Sequence, residues 1–148
     1  MSTTRLALIG AGIIGKTHID RIQRHPDLEL AGIADPTPAG QALADSLGVA
    51  WAAEPAALLD QVRPQGAIVA TPNVAHVPVA LECLSRGIPA LVEKPVADTV
   101  TEARKLADAV ARTGTPVLVG HHRRHNPINQ RARALIADGQ LGRIVSAT

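Results

Sequence analysis

The 148-residue sequence predicts a doubly wound α/β domain, a mostly parallel sheet with helices on both faces. Three observations carry this. Aliphatic runs of strand length alternate six or seven times with segments of helical periodicity. Residues 66–70 are almost purely apolar, as a parallel strand covered on both faces requires. The first apolar run, residues 6–9, opens into a glycine turn (Gly10, Gly12, Gly15) that passes into a helix-like segment.

Taken in order, a first strand at 6–9 leads through the turn to a helix at 14–24, which ends before His25-Pro26 because proline disfavours helix in the residue ahead of it. Ile14, His18 and Ile22 are expected to share one face of that helix, with His18 a satisfied half-buried histidine. A strand at 28–35, a turn at 36–38 and a helix at 39–47 stopped by Gly48 follow. Next come a short strand at 49–52, with Trp51 in the core or at an edge, and a helix opened by Pro55. After the strand at 66–70, a helix runs to Arg86 and a strand covers 90–92. Thr99 and Glu102 are spaced as a capping box, and Val100, Ala103, Leu106, Ala107, Val110 and Ala111 form one helical stripe up to Gly114. A strand at 117–119, a helix at 128–138, a turn at Gly139 and Gly142 and a strand beginning at 144–147 complete the chain.

Composition narrows the function. There is one Trp and no Phe or Tyr, so the core is aliphatic and no mechanism can use a catalytic tyrosine. Net charge is +2 and no Lys/Arg run is interleaved with aromatic residues, which argues against a nucleic-acid partner. The tail from His121 holds five Arg against one Asp, as a solvated helix face or a surface meeting another domain would. Arg5 and the apolar run behind it resemble a signal peptide, but three glycines and Lys16 break the run, and no stretch reaches membrane-spanning length. Cys83 is alone, so no internal disulfide can form; a cytoplasmic location and a buried, unreactive thiol are expected.

The glycine turn carries the chemistry. A loop that feeds a helix start offers backbone N–H donors and the positive end of the helix dipole, which together suit a diphosphate. Gly10 would make the turn, Gly12 would admit the pyrophosphate, and Gly15 would let helix pack on strand. Extended to Lys16 and Thr17, the same residues also spell the Walker A pattern of nucleotide triphosphatases. Asp35, 20 positions after Gly15, suits a carboxylate on adenosine ribose hydroxyls, or equally a magnesium-binding acid.

Other polar groups follow strands, where open parallel sheets bind ligands. Thr71-Pro72-Asn73 stands after one strand, as a ligand contact or a plain turn with Asn73 as a cap. Glu93-Lys94-Pro95 follows another; Lys94 there is a proton donor, a substrate clamp or half of a surface ion pair. His121 and His125 lack the Cys or Glu that would complete a zinc site, so no metal is expected.

Taken together, the glycine loop, Asp35, Thr71-Pro72-Asn73 with His76, Glu93-Lys94-Pro95, and Arg123-Arg124 ahead of Pro127 resemble the N-terminal domain of the glucose-fructose oxidoreductase and inositol dehydrogenase (Gfo/Idh/MocA) family. The resemblance covers nearly the whole chain, and Glu-Lys-Pro is its most telling motif. It implies a Rossmann fold over residues 1–120, with 121–148 a connecting loop, a helix and the start of a substrate domain's first strand. On this resemblance Gly10, Gly12, Ile13, Ile14 and Gly15 hold the pyrophosphate and Asp35 binds the adenosine ribose. Asp35 would repel a 2'-phosphate and no Arg follows it, so NAD is preferred over NADP. Thr71, Pro72, Asn73 and His76 flank the nicotinamide end, Glu93 contacts its ribose side, and Lys94 is the catalytic residue that bonds the substrate hydroxyl. The Lys94-Pro95 bond is expected to be cis, setting the angle of Lys94.

The implied reaction is hydride transfer between NAD and a sugar, cyclitol or related polyol, performed by a longer, homo-oligomeric parent. Two departures stand out. His121 and His125 occupy the region where the family has an aromatic residue, and the substrate domain's Asp-x-x-x-His pair is missing. The chain alone is therefore expected to bind cofactor without turnover. Two rivals remain: an ATP or GTP binder using Lys16 and Thr17, and a non-catalytic NAD-binding module that shows its Arg-rich tail to a partner.

Overall fold

The computed structural model describes residues 3–146. In chain order the elements are β1 (Thr4–Ile9), α1 (Ile13–Arg24), β2 (Leu28–Ala34), α2 (Pro38–Leu47), β3 (Ala50–Ala52), α3 (Pro55–Val62) and β4 (Gly66–Val69). Then come α4 (Asn73–Ser85), β5 (Ala90–Val92), α5 (Val100–Thr113), β6 (Val117–Val119), a 3-10 turn (His122–His125) and α6 (Pro127–Ala137). The six strands form one parallel sheet in the order β3-β2-β1-β4-β5-β6. This is the dinucleotide-binding order, and its reversal between β1 and β4 opens a crevice beyond the strand ends.

Register makes that crevice level. Ile9 pairs with Ala34 and Val69, Val69 with Val92, and Val92 with Val119. The next residue of each strand continues the ladder: Gly10 N–H donates to Ala34 O at 2.8 Å, Ala70 N–H to Ile9 O at 2.8 Å, Glu93 N–H to Val69 O at 2.9 Å and Gly120 N–H to Val92 O at 2.8 Å. Gly10, Asp35, Ala70, Glu93 and Gly120 therefore emerge at one height along a single edge.

Alternation along the strands divides the core in two. Ala7 and Ile9 of β1 join Val69, Val92, Leu58, Val77, Cys83 and Leu106 on the face covered by α3, α4 and α5. Leu8 points the other way, to Ile19, Ile22, Ile33, Ala44 and Ile68 beneath α1 and α2. With two helices on that face, an apolar groove of about 470 Å³ stays open beside α1, lined by Ile22, Ile68, Leu91 and Leu118 among others. The α6 helix packs on the 3-10 turn and has no buried residue.

Four expectations need correction. On α1 the buried residues are Gly15, Ile19 and Ile22, while Ile14 is exposed, because the side-chain-free Gly15 is the point at which the helix meets the loop. On α5 the stripe narrows to Leu106 and Ala109, with Ala103 and Val110 half-buried; Val100, Ala107 and Ala111 face outward, since α5 packs against α4 through one edge of its apolar arc. No strand forms at residues 144–146, which pair with no other strand; Ala147 lies outside the described residues. Asn73 is the first residue of α4 rather than its cap, which is Pro72.

Candidate functional site

The crevice begins at the glycine loop. Gly10 has φ +95°, and a Cβ there would come within 2.6 Å of Ala70 O, so both conformation and space demand glycine. A Cβ on Gly15 would collide with the Gly10 carbonyl oxygen, which explains how closely α1 sits on the loop. Gly12 differs: a Cβ there would meet nothing within 4 Å. Its backbone borders open space. The first turn of α1 has neither a side-chain cap nor an acidic residue, so its N–H groups and dipole are left for a ligand. Ile13 and Ile14 stand exposed beside them.

Asp35, 9% exposed, follows β2. Its Oδ2 accepts the Ala11 N–H at 2.8 Å, and Oδ1 accepts the Thr37 N–H at 2.9 Å and the Thr37 hydroxyl. That hydroxyl in turn accepts the Gly40 N–H at 3.1 Å and caps α2. Burial pushes the Asp35 carboxyl up, but the bonds from the Thr37 hydroxyl, Ala11 and Thr37 outweigh it and hold the group below the ordinary aspartate range. A Cβ on Gly40 would overlap Asp35, and Trp51 Nε1–H donates to Asp35 O at 3.0 Å. Thr37, Gly40 and Trp51 were not singled out in the sequence as supports of Asp35, although Thr37-Pro38 is a readable cap-and-start signal.

The triphosphate reading finds no support here. The Thr17 hydroxyl donates back to Ile13 O at 3.2 Å rather than facing a ligand, and Asp35 bonds the loop through Ala11 and the α2 cap through Thr37.

Across the switch point, Thr71 Oγ1 is buried without a partner among the described residues. His76, 1% exposed, lies between two carbonyls: Nε2 is 2.9 Å from Thr71 O and Nδ1 is 2.7 Å from Pro95 O. It thereby ties the Thr71-Pro72-Asn73 loop to the Glu93-Lys94-Pro95 loop from beneath. Pro72, Asn73 and Lys94 are exposed along the crevice, and the Lys94-Pro95 bond is cis.

Glu93 is half-buried and pairs through Oε1 with His18 Nε2 at 2.9 Å, while Oε2 accepts the Lys94 N–H at 3.1 Å. Burial raises its carboxyl, but the His18 bond, the Lys94 N–H and the charges of His18 and Lys94 prevail and hold it below the ordinary glutamate range. Sequence reasoning placed His18 on α1 but could not give it this partner, 75 residues away. His121 and His125 are exposed, and no group of three metal-ligating side chains is found among the described residues.

The geometry thus offers a glycine cradle, a carboxylate beside it, an unpaired buried hydroxyl and an exposed lysine on one edge. Residues 4–121 match the family model described as "Oxidoreductase family, NAD-binding Rossmann fold". The rhizopine catabolism protein MocA of Rhizobium meliloti is 32% identical over 144 residues, covering 97% of this chain and 45% of the relative. An inositol 2-dehydrogenase of Rubrobacter xylanophilus is 30% identical over 140 residues, covering 93% of this chain and 40% of that protein. The crystal structure of the WlbA dehydrogenase from Bordetella pertussis in complex with NADH and UDP-GlcNAcA superposes with a TM-score of 0.90 at 29% identity, over 96% of this chain and 44% of that one. The chain spans less than half the length of the curated relatives it matches.

Proposed function

The chain belongs to the Gfo/Idh/MocA oxidoreductase family with its NAD-binding Rossmann fold, and we propose that it forms the cofactor half of an enzyme that moves hydride between NAD and a sugar, cyclitol or related polyol hydroxyl. The observation that carries this reading is the common level of Gly10, Asp35 and Glu93 along the crevice, with Lys94 the next residue after Glu93. Residues 1–120 serve as the cofactor domain, and 121–148 lead toward a substrate domain. The substrate class rests on the names of relatives such as the inositol 2-dehydrogenase. The whole protein is proposed to be cytoplasmic and homo-oligomeric.

The residues fit a dinucleotide. Gly10, Gly12 and Gly15, with the N–H groups of Ile13 and Ile14, would receive the diphosphate, and the space beyond Gly12 is open for it. Asp35 retains acceptor capacity on Oδ2, which takes one protein donor against two on Oδ1, for a ribose hydroxyl. Its negative charge opposes a 2'-phosphate, and Pro36, Thr37 and Pro38 supply no cation to offset that, which favours NAD over NADP. The unpaired Thr71 hydroxyl, Pro72 and Asn73 border the nicotinamide end, His76 holds their loop in place, and Glu93 reaches the adjoining ribose.

Bound there, the cofactor supplies the hydride acceptor or donor. Lys94 would do the protein's share: as the neutral amine it would accept the substrate hydroxyl's proton during oxidation, becoming the ammonium, and as the ammonium it would return that proton in the reverse direction. Its exposure at the crevice edge favours this over a purely binding module.

Trp51 is the chain's one tryptophan and there is no tyrosine, so its emission is a clean probe of the Asp35 end. Titration with NADH should quench Trp51 saturably and raise nicotinamide emission by energy transfer. Unchanged emission together with no calorimetric heat would refute the proposal.

A further inference from the structure

We infer that His18 is a positioning residue for Lys94, acting through Glu93, so that the helix which starts at the diphosphate cradle also fixes the backbone that carries the reactive amine. The inference rests on the proposed role of Lys94 and goes beyond it by giving that residue a support on another element.

Glu93 stands between two donors. His18 Nε2 lies 2.9 Å from Oε1, and the Lys94 N–H lies 3.1 Å from Oε2. The side chains of His18 and Glu93 are 20% and 16% exposed, so the bond between them is partly shielded from water, whereas the Lys94 N–H bond lies at an exposed position. The two oxygens share one carboxylate plane, so fixing one fixes the other. A carboxylate bonding to the N–H of the very next residue makes a short, easily lost ring; the bond across to α1 is what holds the group in that orientation.

A third element closes the site. A Cβ on Gly120, at the end of β6, would come within 3.0 Å of the Glu93 carboxylate. Glu93 is thus confined between α1 on one side and the β6 end on the other, and among the described residues its ion-pair partner is His18 rather than the Lys94 ammonium. Helix α1 carries Gly15 and His18 on adjacent turns. Any adjustment of its N-terminus to a diphosphate is passed through His18 and Glu93 to the Lys94 backbone.

The test uses amide NMR on the ¹⁵N-labelled chain with and without NADH. In His18→Leu the Lys94 amide resonance should move upfield and its solvent exchange should rise about tenfold, the loss expected for one ordinary hydrogen bond. The Gly10 and Gly12 resonances should stay in place. His18→Gln, which can still donate to Oε1, should restore the Lys94 signal. Gly120→Ala should displace the same resonance from the opposite side with His18 intact, which keeps the test open if His18→Leu fails to fold. On addition of NADH the wild-type Lys94 amide should shift, and His18→Leu should lose most of that response.

A Lys94 amide indifferent to both His18→Leu and Gly120→Ala would overturn the inference, as would failure of His18→Gln to restore it. Failure of the proposed function would look different: wild-type protein would not bind NADH at all, whatever the Lys94 amide does in the variants.

Discussion

The Oδ2 atom of Asp35 accepts the Ala11 N–H at 2.8 Å, so the carboxylate that follows β2 is bonded to the glycine loop that follows β1. One side chain thereby shapes the cradle and presents charge to whatever enters it. Both carboxylate oxygens already have protein partners, two donors on Oδ1 and one on Oδ2, so Oδ2 keeps acceptor capacity for a further donor.

Removing that carboxylate should cost stability. Asp35→Ala leaves the buried Ala11 N–H and the α2 cap without an acceptor, and urea unfolding should show a loss of about 1–3 kcal/mol. The cost should depend on pH. Asp35 and Glu93 both have depressed folded-state values, so their contribution is complete above the unfolded values, about 3.9 for Asp and about 4.3 for Glu, and disappears as pH falls through the lower folded ones. Melting temperatures of wild type and Asp35→Asn should therefore converge as the pH is lowered from about 5 toward 2. A gap that stays constant over that range would contradict the assignment.

Two glycines of one loop should fail in different ways. Gly10→Ala puts a Cβ at φ +95° and 2.6 Å from a backbone oxygen, so it should destabilise the fold by about 2–4 kcal/mol or prevent folding. Gly12→Ala points into open space and should change stability by less than about 1 kcal/mol, while weakening NADH binding at least tenfold, about 1.4 kcal/mol. Paired denaturation and titration curves would separate the two effects.

His76 supports the second half of the crevice from within. His76→Leu removes the ring that stands between Thr71 O and Pro95 O and donates to one of them, in a site only 1% exposed. A loss of about 1–3 kcal/mol is expected. Amide exchange should quicken in the 71–73 and 93–95 loops before it does in the strands.

Cys83 should be silent. It is fully buried on α4, and burial with the neighbouring Glu82 charge pushes its thiol up to about 12. A thiol reagent at pH 8 should label the native chain only at the rate of unfolding, and prompt labelling would show that α4 opens locally.

Much of this was readable in the sequence because it was local. The aliphatic run at 66–69 predicts a fully covered strand by composition alone, Pro55 and Thr99 mark helix starts, and Gly10 announces its own turn. What stayed hidden was non-local. His18 and Glu93 are 75 residues apart, Gly40 is needed only because Asp35 lies against it, and His76 gains its role from a carbonyl 19 residues on. Periodicity also misplaced the buried face of α5, since an apolar arc wider than the contact leaves the choice of edge to the packing. The strand expected at 144–147 required a partner that the pattern could not supply.

Parallel calorimetric titration of the chain with NADH, NADPH and Mg-ATP, repeated on Asp35→Ala, tests the central claim most directly. Saturable NADH binding, stronger than NADPH binding and weakened by the substitution, is the predicted result. Magnesium-dependent ATP binding that disappears in Lys16→Ala, with no heat from NADH, would contradict it.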